Sequence, residues 1–316
     1  MHSDAEIRKN KGPPVMNEQE RYAAVRACKW VDEVVEDAPY VTQLDIMDKY
    51  GCDICVHGDD MVVTPDGQDS YAAVKLAGRY RECKRTTSIS TTDLVGRMLL
   101  MTKEHHSHSL DGPLEEFTGG TRSPYTGVSR MLPTSGRIVQ FSNLREPKKG
   151  ERIVYVDGAF DLFHIGHVEF LKKAKEKGDY VLVGIHDDET VNRIKGANFP
   201  IMNLYERVLG VLSCRYVNEV IIGAPYSVNK EILNYGVSTV LHGSQPVFLD
   251  NNQDPYALPK SLGIFEEIGT KYNDFTLETI LQRIVSNRNL YEERNRKKEL
   301  REMEALRKLQ LQEQSN

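Results

Sequence analysis

Residues 152–170 read RIVYVDGAFDLFHIGHVEF, and this stretch decides how the chain folds. The apolar run 152–156 predicts a short buried strand, and the residues that follow His164 predict a helix. A strand that turns directly into a helix leaves free backbone N–H groups and the positive end of the helix dipole, which together favour anions. His164 and His167 lie on one face of the first turn, and Gly166 lets a ligand approach the backbone closely. The stretch therefore predicts a site that holds a polyphosphate with imidazoles.

The same residues allow a purely structural interpretation, in which the two histidines cap and fill the start of a helix. A single histidine would favour that interpretation, but His-x-Gly-His directly after a strand and a turn favours a nucleotide site. The sequence contains neither a Gly-x-Gly-x-x-Gly dinucleotide fingerprint nor a Walker A run. The expected nucleotide site is therefore of neither of those two kinds.

Short apolar runs alternate with helical stretches through the second half of the chain. We predict strands at 152–156, 180–185, 217–222, 237–241 and 263–268. This alternation predicts an α/β fold with an open, doubly wound parallel sheet and helices on both faces. Ligands of such sheets bind beyond the carboxyl ends of the strands, where both the turn 157–167 and His242 fall.

The chain also contains one domain twice. Segments of the first half recur in order in the second: Lys11-Gly12 as Lys195-Gly196, Glu20-Arg21 as Glu206-Arg207, Trp30-Val31 as Tyr216-Val217, Ala38-Pro39-Tyr40 as Ala224-Pro225-Tyr226, and His57-Gly58 as His242-Gly243. Cys28 falls on Cys214 in the same alignment. These matches predict a tandem duplication of one domain.

The repeat sets the predicted domain boundaries. We predict a first domain at 1–103, a linker at 104–150 with one short strand at 137–141, a second domain at 151–288, and a charged helical tail at 289–316. Because His2 aligns with His186, the first domain is expected to lack its opening β-α-β segment. We interpret it as a fragment that arises from an alternative start or splice form.

The segment GAFDLFHIGH at 158–167 resembles the signature of the α/β nucleotidylyltransferases that share the HxGH motif, and above all the cytidylyltransferases of phospholipid synthesis. The chain has two copies of the domain, with RYRECKRT at 79–86 in the first and FPIMN at 199–203 in the second. In this it is similar to the tandem members of that family, which act on ethanolamine phosphate. The resemblance covers nearly the whole chain. It implies that CTP reacts with phosphoethanolamine to give CDP-ethanolamine and pyrophosphate, with Mg²⁺ bound to the CTP.

The resemblance also implies roles for individual residues. His164 and His167 would be the catalytic residues, which hold the triphosphate and stabilise the transition state. The implied CTP-binding residues are Ala159, Phe160, Ile165, Gly166, Lys195, Arg207, Leu241, His242, Ile268, Gly269 and Thr270. The remnant of the same site in the first repeat is Lys11, Arg85, Ser90 and Thr91.

Purely structural alternatives exist for two of these positions and for Tyr226. Lys195 is equally well explained as a solvated surface residue, and Arg207 as one half of a salt bridge on its helix. Tyr226 is the aromatic residue that we place near the amine of the substrate, although a core or loop tyrosine is an equally fair interpretation.

The nucleotide signature is divided between the repeats. Residues 85–91 (RTTSIST) resemble the family pattern Arg-Thr-x-Gly-x-Ser-Thr, whereas the aligned positions of the second repeat hold Thr270 and Phe275 in place of the arginine and the serine. The first repeat contains no His-x-Gly-His. An alternative is therefore a catalytically impaired form that binds CTP or CMP and pairs with full-length subunits, or forms a homodimer. A class I tRNA synthetase fragment is disfavoured, because the chain has no Lys-Met-Ser-Lys-Ser loop.

Composition excludes several other classes. The net charge of −5 argues against a general nucleic-acid binder, which would usually be basic. No apolar run approaches the ~20 residues that span a bilayer, and the N-terminus has no signal-peptide core, so we expect a cytoplasmic protein without a transmembrane segment. Five cysteines fit a reducing compartment. The pair Cys52 and Cys55 is interpreted as part of a buried strand rather than as a metal site.

Overall fold

The structure is a computed structural model that describes residues 1–59, 62–64, 67–84, 146–197 and 199–291, together with the helical positions 293, 296, 300 and 303. The chain divides into two compact units, the first formed by Met1–Tyr22, Val34–Asp93 and Ile280–Asn316 and the second by Ala23–Glu33 and Leu94–Thr279. The predicted strand at 137–141, and most of the predicted linker and tail, lie outside the described residues. Within the described ranges, no helix has the length and apolar character needed to cross a bilayer.

The described residues of the first repeat form four helices and two parallel strands: α1 (Asp4–Lys11), α2 (Glu18–Arg26), α3 (Leu44–Lys49), β1 (Cys55–Gly58), α4 (Ala72–Leu76) and β2 (Tyr80–Cys83). The prediction of a buried strand around the C-x-x-C pair was wrong about the burial: a strand begins at Cys55, but it is not buried. Cys52 is exposed and β1 is only partly buried, because in the described part of the chain β1 pairs with β2 alone.

The second repeat contains a five-stranded sheet made of β3 (Ile153–Gly158), β4 (Tyr180–Ile185), β5 (Glu219–Ile222), β6 (Val237–Gly243) and β7 (Phe265–Ile268). Its helices are α5 (Ile165–Lys177), α6 (Asp188–Lys195), α7 (Leu204–Leu212), α8 (Lys230–Leu233), α9 (Ala257–Ser261) and α10 (Leu277–Ser286). All five strands are parallel, in the order β5-β4-β3-β6-β7. The chain winds outward from β3 in both directions, which confirms the predicted doubly wound parallel sheet.

The central strand is buried on both faces. Val154 and Val156 pack with Leu171 of α5 in one core cluster. Tyr155 points to the opposite face, because successive residues of a strand alternate, and packs there with Val240 in a second cluster. An apolar run without polar alternation is typical of such a strand. The end of β3 is therefore held from both sides, which fixes the position of the turn that follows it.

Strand β5 begins at Glu219 rather than at the predicted Val217. Asn218 explains the difference, since its backbone N–H donates to the Val181 carbonyl and its Oδ1 accepts from the Val181 N–H, both at 3.0 Å. An asparagine side chain thus replaces a bond of the sheet ladder, and regular pairing starts one residue later.

An equivalent arginine is held in the same way in each repeat. Arg21 donates to Asp4 Oδ1 at 2.6 Å and to the carbonyls of His2 and Met16, each at 2.7 Å. Arg207 donates to the aligned partners, which are Asp188 Oδ1 at 2.8 Å and the carbonyls of His186 at 2.7 Å and Met202 at 3.1 Å. The repetition seen in the sequence is therefore also present in the bonding of the two repeats.

The aligned cysteines meet inside the second unit. Cys28 and Cys214 form an isolated antiparallel bridge, in which Lys29 N donates to Ser213 O and Arg215 N to Ala27 O, both at 2.8 Å. Each cysteine thus pairs with its own counterpart in the sequence alignment. Burial raises the pKa of the Cys214 thiol to about 11, so this thiol is protonated and unreactive.

Candidate active site

A cavity of about 490 Å³ opens at the carboxyl ends of β3 and β6. These two strands are neighbours, and the chain leaves them in opposite directions, so the cavity lies at the switch point of the sheet. The turn after β3 and His242 at the end of β6 both line it. The structure therefore brings together the two segments that the strand-end argument predicted to form one site.

Two stacked imidazoles close the start of α5. Nδ1 of His164 accepts a hydrogen bond from Gly166 N at 3.1 Å, and Nδ1 of His167 accepts one from His164 N at 3.3 Å. The ring centroids are 3.8 Å apart. Because each Nδ1 is an acceptor, each neutral ring carries its proton on Nε2, and this N–H is the donor that the ring offers to the cavity. The rings thus cap the helix, as the structural interpretation predicts, and still leave a donor for a ligand.

Both histidines are neutral at pH 7. Burial, assisted by the Lys195 ammonium, lowers the pKa of His164 to about 4. Burial and the adjacent His164 ring lower the pKa of His167 well below its ordinary value. The pair therefore offers hydrogen bonds rather than charge, and the positive potential of the cavity comes from Lys195 and the start of α5.

Asp161 shapes the turn that carries the histidines. Its buried carboxylate accepts hydrogen bonds from the backbone N–H groups of Leu162 at 3.0 Å, Ile201 at 2.7 Å and Met202 at 2.9 Å. Phe160 and Leu162 adopt φ values of 49° and 45°. Such backbone costs a residue with a side chain roughly 1 kcal/mol or more, so the turn needs this anchoring to persist.

Arg207 is a buried brace beneath the site. In addition to the bonds described above, its guanidinium donates to the Ala159 carbonyl at 2.7 Å, and it is not part of the cavity wall. Arg207 does form an ion pair, with Asp188 of α6, but the predicted alternative of a salt bridge within its own helix α7 is not what the structure shows. Arg21 has the equivalent bonds in a repeat without His-x-Gly-His, which indicates that the bracing role does not require a nucleotide.

The structure places the other predicted residues in three groups. The cavity wall includes both catalytic candidates together with Ala159, Phe160, Gly166, Lys195, His242, Ile268 and Thr270. Ile165 and Leu241 are fully buried in the core, and Gly269 is not part of the wall. Lys11 belongs to the first unit, where its ammonium lies 5.7 Å from the centre of the Tyr40 ring. Arg85, Ser90 and Thr91 lie outside the described residues.

A buried carboxylate that the sequence analysis missed lies at the floor of the cavity. Asp157 Oδ1 accepts a hydrogen bond from the Tyr256 hydroxyl at 2.6 Å. Its Oδ2 and the hydroxyl of the nearby Tyr155 are both buried, and burial together with the interaction with Asp157 raises the pKa of the tyrosine. Burial is the main reason that the pKa of Asp157 is raised, and His186 opposes the shift. The signal in the sequence was its position, since Asp157 is a charged residue directly after the apolar run 152–156.

Aromatic rings surround this carboxylate. Tyr226 and Tyr256 line the cavity with His186 and His242. The ring of His242 lies 5.0 Å from that of Tyr256, and the ring of His186 lies 5.4 Å from that of Tyr226. A carboxylate among aromatic rings at the floor of a cavity can attract a small organic cation.

The chain is similar to known cytidylyltransferases over most of its length. A family model described as "Cytidylyltransferase-like" matches residues 1–97 and 155–295. The ethanolamine-phosphate cytidylyltransferase of Dictyostelium discoideum is 53% identical over 314 residues, which is 96% of this chain and 86% of the relative. Those of Mus musculus and Arabidopsis thaliana are 52% and 50% identical, and the matches cover 82% and 76% of the relatives.

Proposed function

This chain belongs to the family of ethanolamine-phosphate cytidylyltransferases, and from that premise we propose that its cavity binds CTP and phosphoethanolamine and joins them. A phosphate oxygen of phosphoethanolamine attacks the α-phosphorus of CTP. The new P–O bond forms as the bond to the β-phosphate breaks, and pyrophosphate leaves with the electron pair. The products are CDP-ethanolamine and pyrophosphate.

The observation that carries the proposal is the pair of neutral, capped imidazoles at the start of α5. Phosphoryl transfer in line needs alignment of two anions and stabilisation of the charge that spreads over the equatorial oxygens. The Nε2–H groups of His164 and His167 are donors with a fixed tautomer, so they need little reorganisation as charge develops. Lys195 supplies the formal positive charge beside them.

Asp157 supports an amine-bearing second substrate. Phosphoethanolamine carries an ammonium, which donates in up to three directions. Asp157, with the rings of Tyr226 and Tyr256, is the part of the cavity wall that attracts such a cation. The bound ammonium would compensate the buried charge of the carboxylate, whereas choline would bring three methyl groups in place of those donors. This arrangement favours ethanolamine over choline in the proposal.

Mg²⁺ enters the proposal as a partner of the triphosphate. The described residues include no group of three His, Cys, Asp or Glu side chains placed to hold a metal ion. The donors that line the cavity near the imidazoles fit phosphate oxygens, so phosphates and water would hold the ion, as Mg²⁺ prefers. Its chemistry there is to neutralise charge on the leaving pyrophosphate.

We also propose a cytoplasmic location and, as an assembly, a homodimer or pairing with full-length subunits. All five cysteines are free, which supports a reducing compartment. Light scattering of the purified chain, alone and mixed with a full-length relative, tests the assembly.

The test of the proposed function is formation of CDP-ethanolamine by the purified chain, compared with a His164→Ala/His167→Ala variant. We expect the substitutions to reduce kcat by ~10²–10³ or more, the usual effect of losing a single such donor. Tyr235→Ser serves as the matched control, since Tyr235 is exposed and outside the cavity.

A kcat of the double variant that equals that of the parent would contradict this site. If the chain shows no turnover but binds CTP through the two histidines, the result would favour the impaired nucleotide-binding form instead. Omission of Mg²⁺ with a chelator is expected to abolish turnover in every variant.

A further inference from the structure

Phe275 covers the imidazole pair. Its ring packs edge-on against the ring of His164, with the centroids 5.1 Å apart. Its carbonyl oxygen lies over the start of α5, where a Cβ added at Gly166 would come within 2.9 Å of it. The room that Gly166 leaves above the helix is thus occupied by the chain itself.

A compact loop holds Phe275 in this position. Thr270 N donates to Asn273 Oδ1 at 2.6 Å, and Phe275 N donates to the Tyr272 carbonyl at 3.0 Å. Gln245 Nε2 donates to the Asn273 carbonyl at 2.6 Å, which ties the loop to the segment after β6. The loop 270–276 is therefore held by three hydrogen bonds, two within itself and one to the segment after β6.

This arrangement opposes a triphosphate. A phosphate that approaches the N–H groups of the helix start meets the Phe275 carbonyl, whose oxygen repels an anion. It also meets the ring on one side of His164. The aligned position of the first repeat is Ser90, a small residue that can donate a hydrogen bond.

We propose that Phe275 is a plug over the triphosphate site, and that it must move away from His164 and Gly166 before the triphosphate can bind. The inference rests on the proposed function, because it concerns the same site. CTP therefore binds only the fraction of molecules in which the loop 270–276 has moved, and its apparent affinity is reduced by that fraction.

The test substitutes the plug and measures two properties. Phe275→Ser removes the ring, and Phe275→Leu keeps apolar packing with a smaller side chain. The first readout is the rate at which diethyl pyrocarbonate, which acylates neutral imidazole, modifies His164, with the site located by mass spectrometry. The second is the dissociation constant of CTP measured by calorimetry. Tyr235→Ser is again the control.

We expect Phe275→Ser to accelerate modification of His164 roughly two- to tenfold and to tighten CTP binding by a similar factor, which is the size of effect that one aromatic contact provides. For Phe275→Leu, we expect both the rate of His164 modification and the affinity for CTP to lie between those of Phe275→Ser and the parent. Unchanged reactivity of His164 in both variants would overturn the proposal that Phe275 is a plug, whatever the change in CTP binding. Faster modification without CTP binding in any form would support the plug and contradict only the proposed function.

Discussion

His164 makes the stability of the protein depend on pH in a direction that can be worked out. Its pKa is about 4 in the folded chain and about 6.5 when unfolded, since burial disfavours the charged ring. Between these values the unfolded chain binds a proton that the folded chain does not. The contribution of the neutral, buried His164 ring to the free energy of unfolding is thus fully present above pH 6.5 and is lost as the pH falls towards 4.

The size of the effect follows from the same values. At pH 5.5, one unit below the unfolded pKa, proton binding favours the unfolded chain by about 1.4 kcal/mol, and at pH 7.5 by less than about 0.1 kcal/mol. His164→Asn removes this titration but keeps a side-chain oxygen that can accept from Gly166 N. We therefore expect the parent to lose about 1 kcal/mol more than the variant between pH 7.5 and 5.5.

Urea unfolding at the two pH values measures this difference. Both proteins contain the same other titrating groups, whose contributions cancel except at His167. Because the His164 ring lowers the pKa of His167, its removal lessens the pH dependence of the variant and adds to the difference in the same direction. If both lose the same free energy of unfolding, the imidazole is not buried and neutral as described, and the tautomer argument for the site fails with it.

Three further predictions concern other parts of the second repeat. Arg207→Met is expected to destabilise the chain by about 3–5 kcal/mol in urea unfolding, because it removes the ion pair with Asp188 and the donor to three carbonyls, whereas Arg152→Met at an exposed pair changes little. Affinity for phosphoethanolamine is expected to fall as the pH is lowered through the raised pKa of Asp157, and calorimetry should show that Asp157→Asn abolishes this dependence. Leu171→Ala should cost about 2–5 kcal/mol in the same unfolding assay, and Leu262→Ala, at an exposed position, much less.

The fold was predictable because its signals are local. The apolar runs that became β3 and β4 have no polar alternation, and only strands covered on both faces tolerate that composition. The start of β5 was not predictable in the same way. It depends on Asn218 accepting from Val181, a residue on another strand, and no pattern within 217–222 encodes that contact.

The site was predictable where it lies in one segment and not where it is assembled from several. His164 and His167 sit three residues apart, so their capping geometry follows from the helix start alone. Asp157 became significant only when Tyr256 reached it from a distant part of the sequence. The structural role of Arg207 could have been predicted, since Arg21 occupies the aligned position in the repeat that has no His-x-Gly-His.

The reciprocal cap of α5 has a consequence for the dynamics of the site. The backbone N–H groups of His164 and Gly166 fix the tautomers, so fraying of this single turn releases both rings into a mixture of proton positions. The fraction of competent molecules is then governed by a local opening equilibrium rather than by global unfolding. Protection of the Gly166 amide from hydrogen exchange would report that fraction directly, in the absence of any substrate.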